Sequence, residues 1–183
     1  MKKITLNELN LKATILLFIG ILFTLVGCVT APSQNISEST ECNNDEGILI
    51  TKIRTNIKDS KIYIHEKGKK WPRASLSPVK APEDLRVINI KSGKLFFSKI
   101  YENNNSFIFG PENYFMIEPG TITYVGDLVV EWVAEEGNIR CYILLIDRED
   151  ETIAEAKEQY PWIFKKYPYQ KSIPQEDTFL KNE

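Results

Sequence analysis

Hydrophobic and polar positions alternate along most of this chain, but not at its start. Ala13–Gly27 (ATILLFIGILFTLVG) runs without a charge behind a segment that sets Lys2, Lys3 and Lys12 against one acid, Glu8. A basic stretch followed by such an apolar run has the layout of a secretory signal. The run is shorter than the roughly 20 residues a membrane-crossing helix needs. The next segment, 29–46 (VTAPSQNISESTECNNDE), has almost no apolar bulk. It cannot bury enough surface to order itself, so residues 28–46 are expected to form a flexible tether, able to reach roughly 60 Å when stretched.

From Gly47 the period is two. Ile48–Ile53 starts a strand, and Lys61–Glu66 sets Ile62 and Ile64 on one face against Tyr63 and His65 on the other. Gly68–Pro82, with Trp71-Pro72, Ser77-Pro78 and Ala81-Pro82, reads as a loop. Leu85–Ile90 and Lys94–Ile100 are strands on either side of Ser92-Gly93. Phe107–Phe109, Asn113–Ile117 and Thr121–Val133 follow, the last bent or bulged at Gly126-Asp127. Ile139–Ile146 is apolar on both faces and predicts a central strand. After Asp147 the texture changes. Asp150–Tyr160 is a good helix former, with Asp147 or Asp150 as cap, and Pro161 can open a second short helix over Trp162–Lys166.

About eight short strands with tight turns predict a mainly β fold, an antiparallel β-sandwich of Ig-like type with short C-terminal helices. The expected organisation is a signal peptide (1–27), the tether (28–46), the sandwich (47–147), a helical segment packed on it (148–168) and a loose tail (169–183).

Charge changes this picture little. The chain has 23 basic and 25 acidic residues. Without residues 1–27 it has about four more acids than bases, with both signs mixed, and it lacks the basic stripe of a nucleic-acid binder.

Leu25-Val26-Gly27-Cys28 resembles the lipobox of bacterial lipoproteins. The resemblance implies cleavage before Cys28 and a diacylglycerol, with further acylation, on that cysteine, which gives stable membrane attachment. Val29, where retained inner-membrane lipoproteins carry Asp, implies the outer membrane facing the periplasm. Two further stretches, Leu85–Tyr101 (LRVINIKSGKLFFSKIY) and Phe115–Leu128 (FMIEPGTITYVGDL), are similar to segments of lipoproteins with a prealbumin-like or carboxypeptidase-regulatory-like β-sandwich. In the second, Pro119-Gly120 suits a type II turn, and Tyr124 is placed to cover Gly126 across one sheet face. This resemblance implies a fold and a location, and carries no active residues. With Cys28 lipidated, Cys42 and Cys141 remain. They either form a disulfide tying tether to body or stay apart as a free tether thiol and a buried strand residue.

Chemistry is sparse. His65 is the single histidine, and a catalytic triad or metal site built on it would need partners that no motif supplies. Catalytic residues, metal ligands and cofactors are therefore all expected to be none. Carboxylate pairs, Glu118 with Asp127 and Glu131 with Glu135, are what any acid-rich chain offers. The aromatics from Phe96 to Trp132 alternate through strands, so about half should make core. The outward half could form a platform for a glycan or a partner protein. The best exposed candidate is the loop Lys69-Lys70-Trp71-Pro72-Arg73, in which a Trp stands among three cations; the competing expectation tucks Trp71 against the sandwich. The function expected is a lipid-anchored, non-catalytic envelope module that binds an envelope protein or a cell-wall or surface glycan. The alternatives are an envelope hydrolase using His65, and an inhibitor or immunity protein directed at a lytic enzyme.

Overall fold

A computed structural model describes residues 35–57, 59–102, 105–109, 114–135 and 138–174. The proposed signal peptide, Cys28, the first part of the tether and residues 175–183 lie outside the described residues. The strands are β1 (Glu46–Thr55), β2 (Ser60–Glu66), β3 (Pro72–Val79), β4 (Glu83–Lys91), β5 (Gly93–Glu102), β6 (Asn105–Ile108), β7 (Tyr114–Ile117), β8 (Ile122–Tyr124), β9 (Asp127–Glu135) and β10 (Asn138–Ile146). Two helices follow, α1 (Glu149–Gln159) and α2 (Pro161–Lys166), then a last short strand, β11 (Tyr169–Lys171).

The chain is mainly β. Among the described residues the strands form two sheets, one of β10, β9, β1, β8 and β11 with β4 on β1, the other of β3, β2, β5 and β6 with β7 on β5. The sheets share one core. From the first come Leu49, Ile53, Ile88, Val130 and Leu145; from the second come Ile62, Ile64, Leu76, Phe97 and Phe115. The opposite face of β1 carries Ile48 and Ile50 into a second cluster with Ile153 and Ala156 of α1 and Ile163 of α2. Both faces of β1 are therefore buried, which its continuous apolar run requires. The result is three layers: sheet, sheet, helices.

Several elements differ from the expectation. The stretch read as a Pro-rich loop contains β3. It pairs with β2 alone, and an edge strand tolerates Pro72 and Pro78 because its outer N–H positions need no ladder partner. The first sheet is mixed rather than antiparallel, since β8 and β9 both run parallel to β1, and β11 runs parallel to β8. Alternation within a strand reports which face is buried, not which strand lies beside it. The segments on either side of Ser92-Gly93 do not pair: β4 lies on β1 and β5 on β2, so the chain changes sheets at Gly93, whose φ is +143°. Thr121–Val133 is two strands split at Val125-Gly126. Gly126 has a φ of +94°, and a Cβ there would sit 2.9 Å from Leu145 Cγ. Leu145, rather than Tyr124, covers this glycine. The turn at Pro119-Gly120 does have positive φ at Gly120 (+64°), with Thr121 N–H donating to Glu118 O at 3.4 Å. β10 is an edge of its sheet, not a central strand.

Both ends of the domain hold more order than composition suggests. Ile36 is buried, its N–H donates to Val87 O at 2.9 Å, and the Asn35 side chain bonds Leu85 O and Val87 N–H, each at 3.0 Å. Residues 35–46 thus dock along the free edge of β4, where unpaired backbone groups compensate for the lack of apolar bulk. Beyond Pro168, β11 adds to β8 in the same way.

Candidate functional site

The helices pack on the first sheet, and the second sheet turns its outer face away from the shared core. Its composition follows from alternation. Ile62 and Ile64 of β2, Leu95 and Phe97 of β5, and Phe115 and Ile117 of β7 point into the core. Lys61, Tyr63 and His65, then Lys94 and Phe96, then Tyr114 and Met116 consequently point out. A register shift opposite Tyr63/Ile64 inserts one extra residue in β5, after which Lys99 and Tyr101 continue the outer row.

The rings meet across strands. Tyr63 and Tyr101 pack edge to face with centroids 5.4 Å apart, Phe96 and Tyr114 do the same at 5.4 Å, and His65 lies 6.1 Å from Phe96. Lysines sit over these rings. Lys61 Nζ is 4.9 Å from the Tyr63 centroid, Lys99 Nζ 4.3 Å from Tyr101, and Lys94 and Lys67 4.5 and 5.3 Å from Tyr114. Each such contact is worth about 0.5–1 kcal/mol at an exposed site. Among the described residues, none of these four lysines is ion-paired. Those elsewhere often are: Lys52 with Glu83 and Glu155, Lys91 with Asp45, Lys166 with Glu41, and Lys171 with Asp147 and Glu149.

The Trp71 loop borders this face between β2 and β3. Trp71 is 67% exposed, and Lys70 Nζ lies 5.4 Å from its ring centre. Arg73 is paired with Glu66, so its charge is neutralised, while Lys69 and Lys70 remain exposed in solvent.

His65 is half-buried beside the same loop. Its Nδ1 is 2.5 Å from Ser98 Oγ, and it makes a backbone hydrogen bond with Lys70. Burial pushes its pKa below the ordinary 6.5, partly offset by the Lys70 contact. The Ser98 hydroxyl donates to Tyr63 O at 3.0 Å. The one hydroxyl therefore lies within reach of both the imidazole and a backbone carbonyl.

A second polar cluster is internal. Asp127 is fully buried and accepts from Tyr124 at 3.0 Å and from Thr152 at 2.8 and 3.0 Å, with Arg54 Nε at 3.5 Å. Burial raises its pKa. Its partners join sheet to helix, and Glu118 is not among them; Glu131 is exposed on β9.

Cys42 and Cys141 are free thiols, which corrects the bridge considered from sequence. Cys42 sits against Asn89 of β4, 3.4 Å from Oδ1, while Cys141 pairs with Trp132 in β10. Strands β1 and β9 lie between. Three strand spacings, about 14 Å, exceed any disulfide span. Among the described residues, no three His, Cys, Asp or Glu side chains converge as a metal site, and no helix is long and apolar enough to cross a membrane.

Of the aromatics singled out in the sequence, Phe97, Phe109, Phe115, Tyr124 and Trp132 are core and Phe96, Tyr101 and Tyr114 are on the outer face. Tyr63 was placed on the outward face of β2 but, like the four lysines, was not read as part of a platform. Their signal was present, since each occupies a position alternating with a core residue. A comparison with models of protein families finds no match for this chain, and neither does one with curated proteins.

Proposed function

We propose that this chain is a lipid-anchored, non-catalytic binding module of the bacterial envelope. It is held on a membrane, preferably the outer membrane on its periplasmic side, through lipid on Cys28. It presents the outer face of the β2–β5–β7 sheet, with the Trp71 loop at its border, to an envelope protein or a glycan. The observation that carries this reading is the row of half-buried rings under unpaired lysines on the sheet face opposite the helices. Cross-strand ring pairs also stabilise a sheet, but a row of them under cations that no described acid neutralises adds a charged surface suited to an anionic partner. Lipid at one end and a short tether would raise the local concentration of the face at the membrane. The prealbumin-like or Ig-like form of the two-sheet packing belongs to the same proposal, supported by the resemblance of Phe115–Leu128 and by the turn at Gly120.

Two variants test it. Cys28→Ser should leave the membrane fraction and take up no radiolabelled fatty acid; continued attachment would refute the anchor. Tyr63→Ala with Tyr114→Ala should weaken co-purification of a partner from solubilised membranes, and unchanged capture would remove the face from the proposal.

One contact favours a second reading, a hydrolase using His65: Ser98 Oγ lies 2.5 Å from its ring. Ser98 is buried, 8% exposed, which argues against a nucleophile open to a large substrate. His65→Ala decides it, since loss of glycan- or peptide-cleaving activity with the fold intact would support the hydrolase.

A further inference from the structure

We infer that the outer face of the five-stranded sheet takes an acidic polysaccharide, a chain of carboxylate-bearing sugars laid along β2 and β5 with its anions against Lys61, Lys99, Lys94 and Lys67. This rests on the proposal that the face is the binding surface and names its ligand class.

Charge complementarity is the first argument. The chain carries two more acids than bases, yet four lysines that no described acid pairs converge on this one face. Each ammonium is held over a tyrosine ring, between 4.3 and 5.3 Å from its centre. A lysine already restrained by a ring loses less rotamer freedom when an anion arrives, so the array is partly organised before binding. The charges also have direction. From Lys94 to Tyr101 along β5 is about 23 Å at the strand rise, which suits an extended polymer better than a single small anion.

The rings select among polyanions. Single-stranded nucleic acid binds by stacking bases on free ring faces, and here ammonium groups stand over the tyrosine faces. A membrane surface calls for apolar side chains that protrude. On this face those are Ile108 and Met116, 70% and 44% exposed on the flanking strands β6 and β7, whereas Tyr63, Phe96, Tyr101 and Tyr114, the row of rings among the lysines, are half-buried. A charged sugar chain meets both conditions. Its carboxylates reach the ammonium groups, its hydroxyls reach the tyrosine oxygens, and it needs no deep pocket. Trp71, 67% exposed at the border with Lys70 Nζ 5.4 Å from its ring centre, adds a further ring and cation beside the array.

The test uses the full chain in detergent with three probes: polygalacturonate, neutral dextran and phosphatidylglycerol vesicles. The expected result is binding of polygalacturonate, weakened by salt, and at least tenfold weaker binding of dextran. Lys61→Gln with Lys94→Gln and Lys99→Gln should lose roughly tenfold in affinity or more. Lys166→Gln with Lys171→Gln, cations outside the face, should keep it. Polygalacturonate binding unchanged in the triple variant, or lost equally in the control pair, would overturn the inference. So would equal binding of dextran, or vesicle binding through these lysines without polymer binding. If polygalacturonate is not bound but the triple variant still loses co-purification of a membrane partner, only the ligand class falls. If that variant also retains the partner, the face itself falls.

Discussion

Tyr124 donates its phenolic proton to Oδ1 of Asp127 at 3.0 Å, and the same oxygen of Tyr124 accepts the backbone N–H of Arg148 at 3.0 Å. One buried hydroxyl therefore links the split between β8 and β9 to the chain entering α1. Thr152 of α1 completes the connection with bonds of 2.8 and 3.0 Å to the two carboxylate oxygens. Asp127→Ala would leave Tyr124 and Thr152 without an acceptor and Arg54 without its buried counter-charge. The expected loss of stability is about 3–5 kcal/mol, measured by urea unfolding of the full chain. Thr152→Val, which removes one donor, should cost less, about 1–3 kcal/mol. A change within experimental error for Asp127→Ala would mean that α1 is held by its apolar contacts alone.

Gly126 is constrained twice. Its φ of +94° disfavours any side chain, and a Cβ would meet Leu145 Cγ at 2.9 Å. Gly126→Ala should therefore destabilise the fold by about 1–3 kcal/mol. Leu145→Ala in the same chain opens space but leaves the backbone strain, so the double variant should not recover wild-type stability. Full recovery in thermal unfolding would show that the clash alone mattered.

His65 gives a clean titration because it is the only histidine. Burial lowers its pKa in the folded chain below the ordinary 6.5. Below pH 6.5 the unfolded chain then binds more protons than the folded one, so His65 contributes stability that is full above 6.5 and lost as pH falls through the folded value. The imidazole resonance should show a midpoint below 6.5. His65→Gln should flatten the slope of stability against pH in that window and leave it unchanged above pH 7. A midpoint above 6.5 would contradict the burial and reverse the sign.

The two body cysteines should remain thiols under oxidising conditions. Intact mass with and without reductant is expected to show no Cys42–Cys141 bridge. Burial pushes the Cys141 thiol up to about 11 and also raises Cys42, so iodoacetamide at pH 8 should label both slowly, since the thiolate is the nucleophile. A reductant-sensitive link between 42 and 141, or rapid labelling of Cys141, would be inconsistent with the strand positions.

Trp71 and Trp132 should separate in their effect on stability. Trp132 is 8% exposed and packs edge to face with Phe107, centroids 4.5 Å apart, so Trp132→Ala should cost about 3–5 kcal/mol. Trp71→Ala, at an exposed loop, should stay within about 0.5 kcal/mol. Equal losses in denaturant unfolding would place Trp71 in the packing rather than on the surface.

Local pattern was enough for much of the fold. Ile62 and Ile64 alternating with Tyr63 and His65 gave the buried and outward faces of β2, and Pro161 gave the start of α2. Gly120 gave its turn, because only a residue without Cβ adopts that φ easily. The resemblance at Cys28 likewise needed nothing beyond four residues and their place after an apolar run. Proline was the misleading signal: Pro72 and Pro78 read as loop because a sequence does not say whether a strand will lie at an edge.

By itself, the sequence determined a mainly β chain with a helical end, the inward positions of strands such as β2 and β5, and the single histidine and three cysteines open to chemistry. These follow from covalent geometry and periodicity, which act over a few residues. Tertiary structure alone decided that β1 runs beside β8 and β9 in parallel and that Cys42 and Cys141 stand about three strands apart. It also brought Tyr63, Phe96, Tyr101 and Tyr114, from three separate strands, together under lysines on one face. Neighbours across a sheet are set by how the whole chain closes its core, and that closure leaves no mark within any one strand.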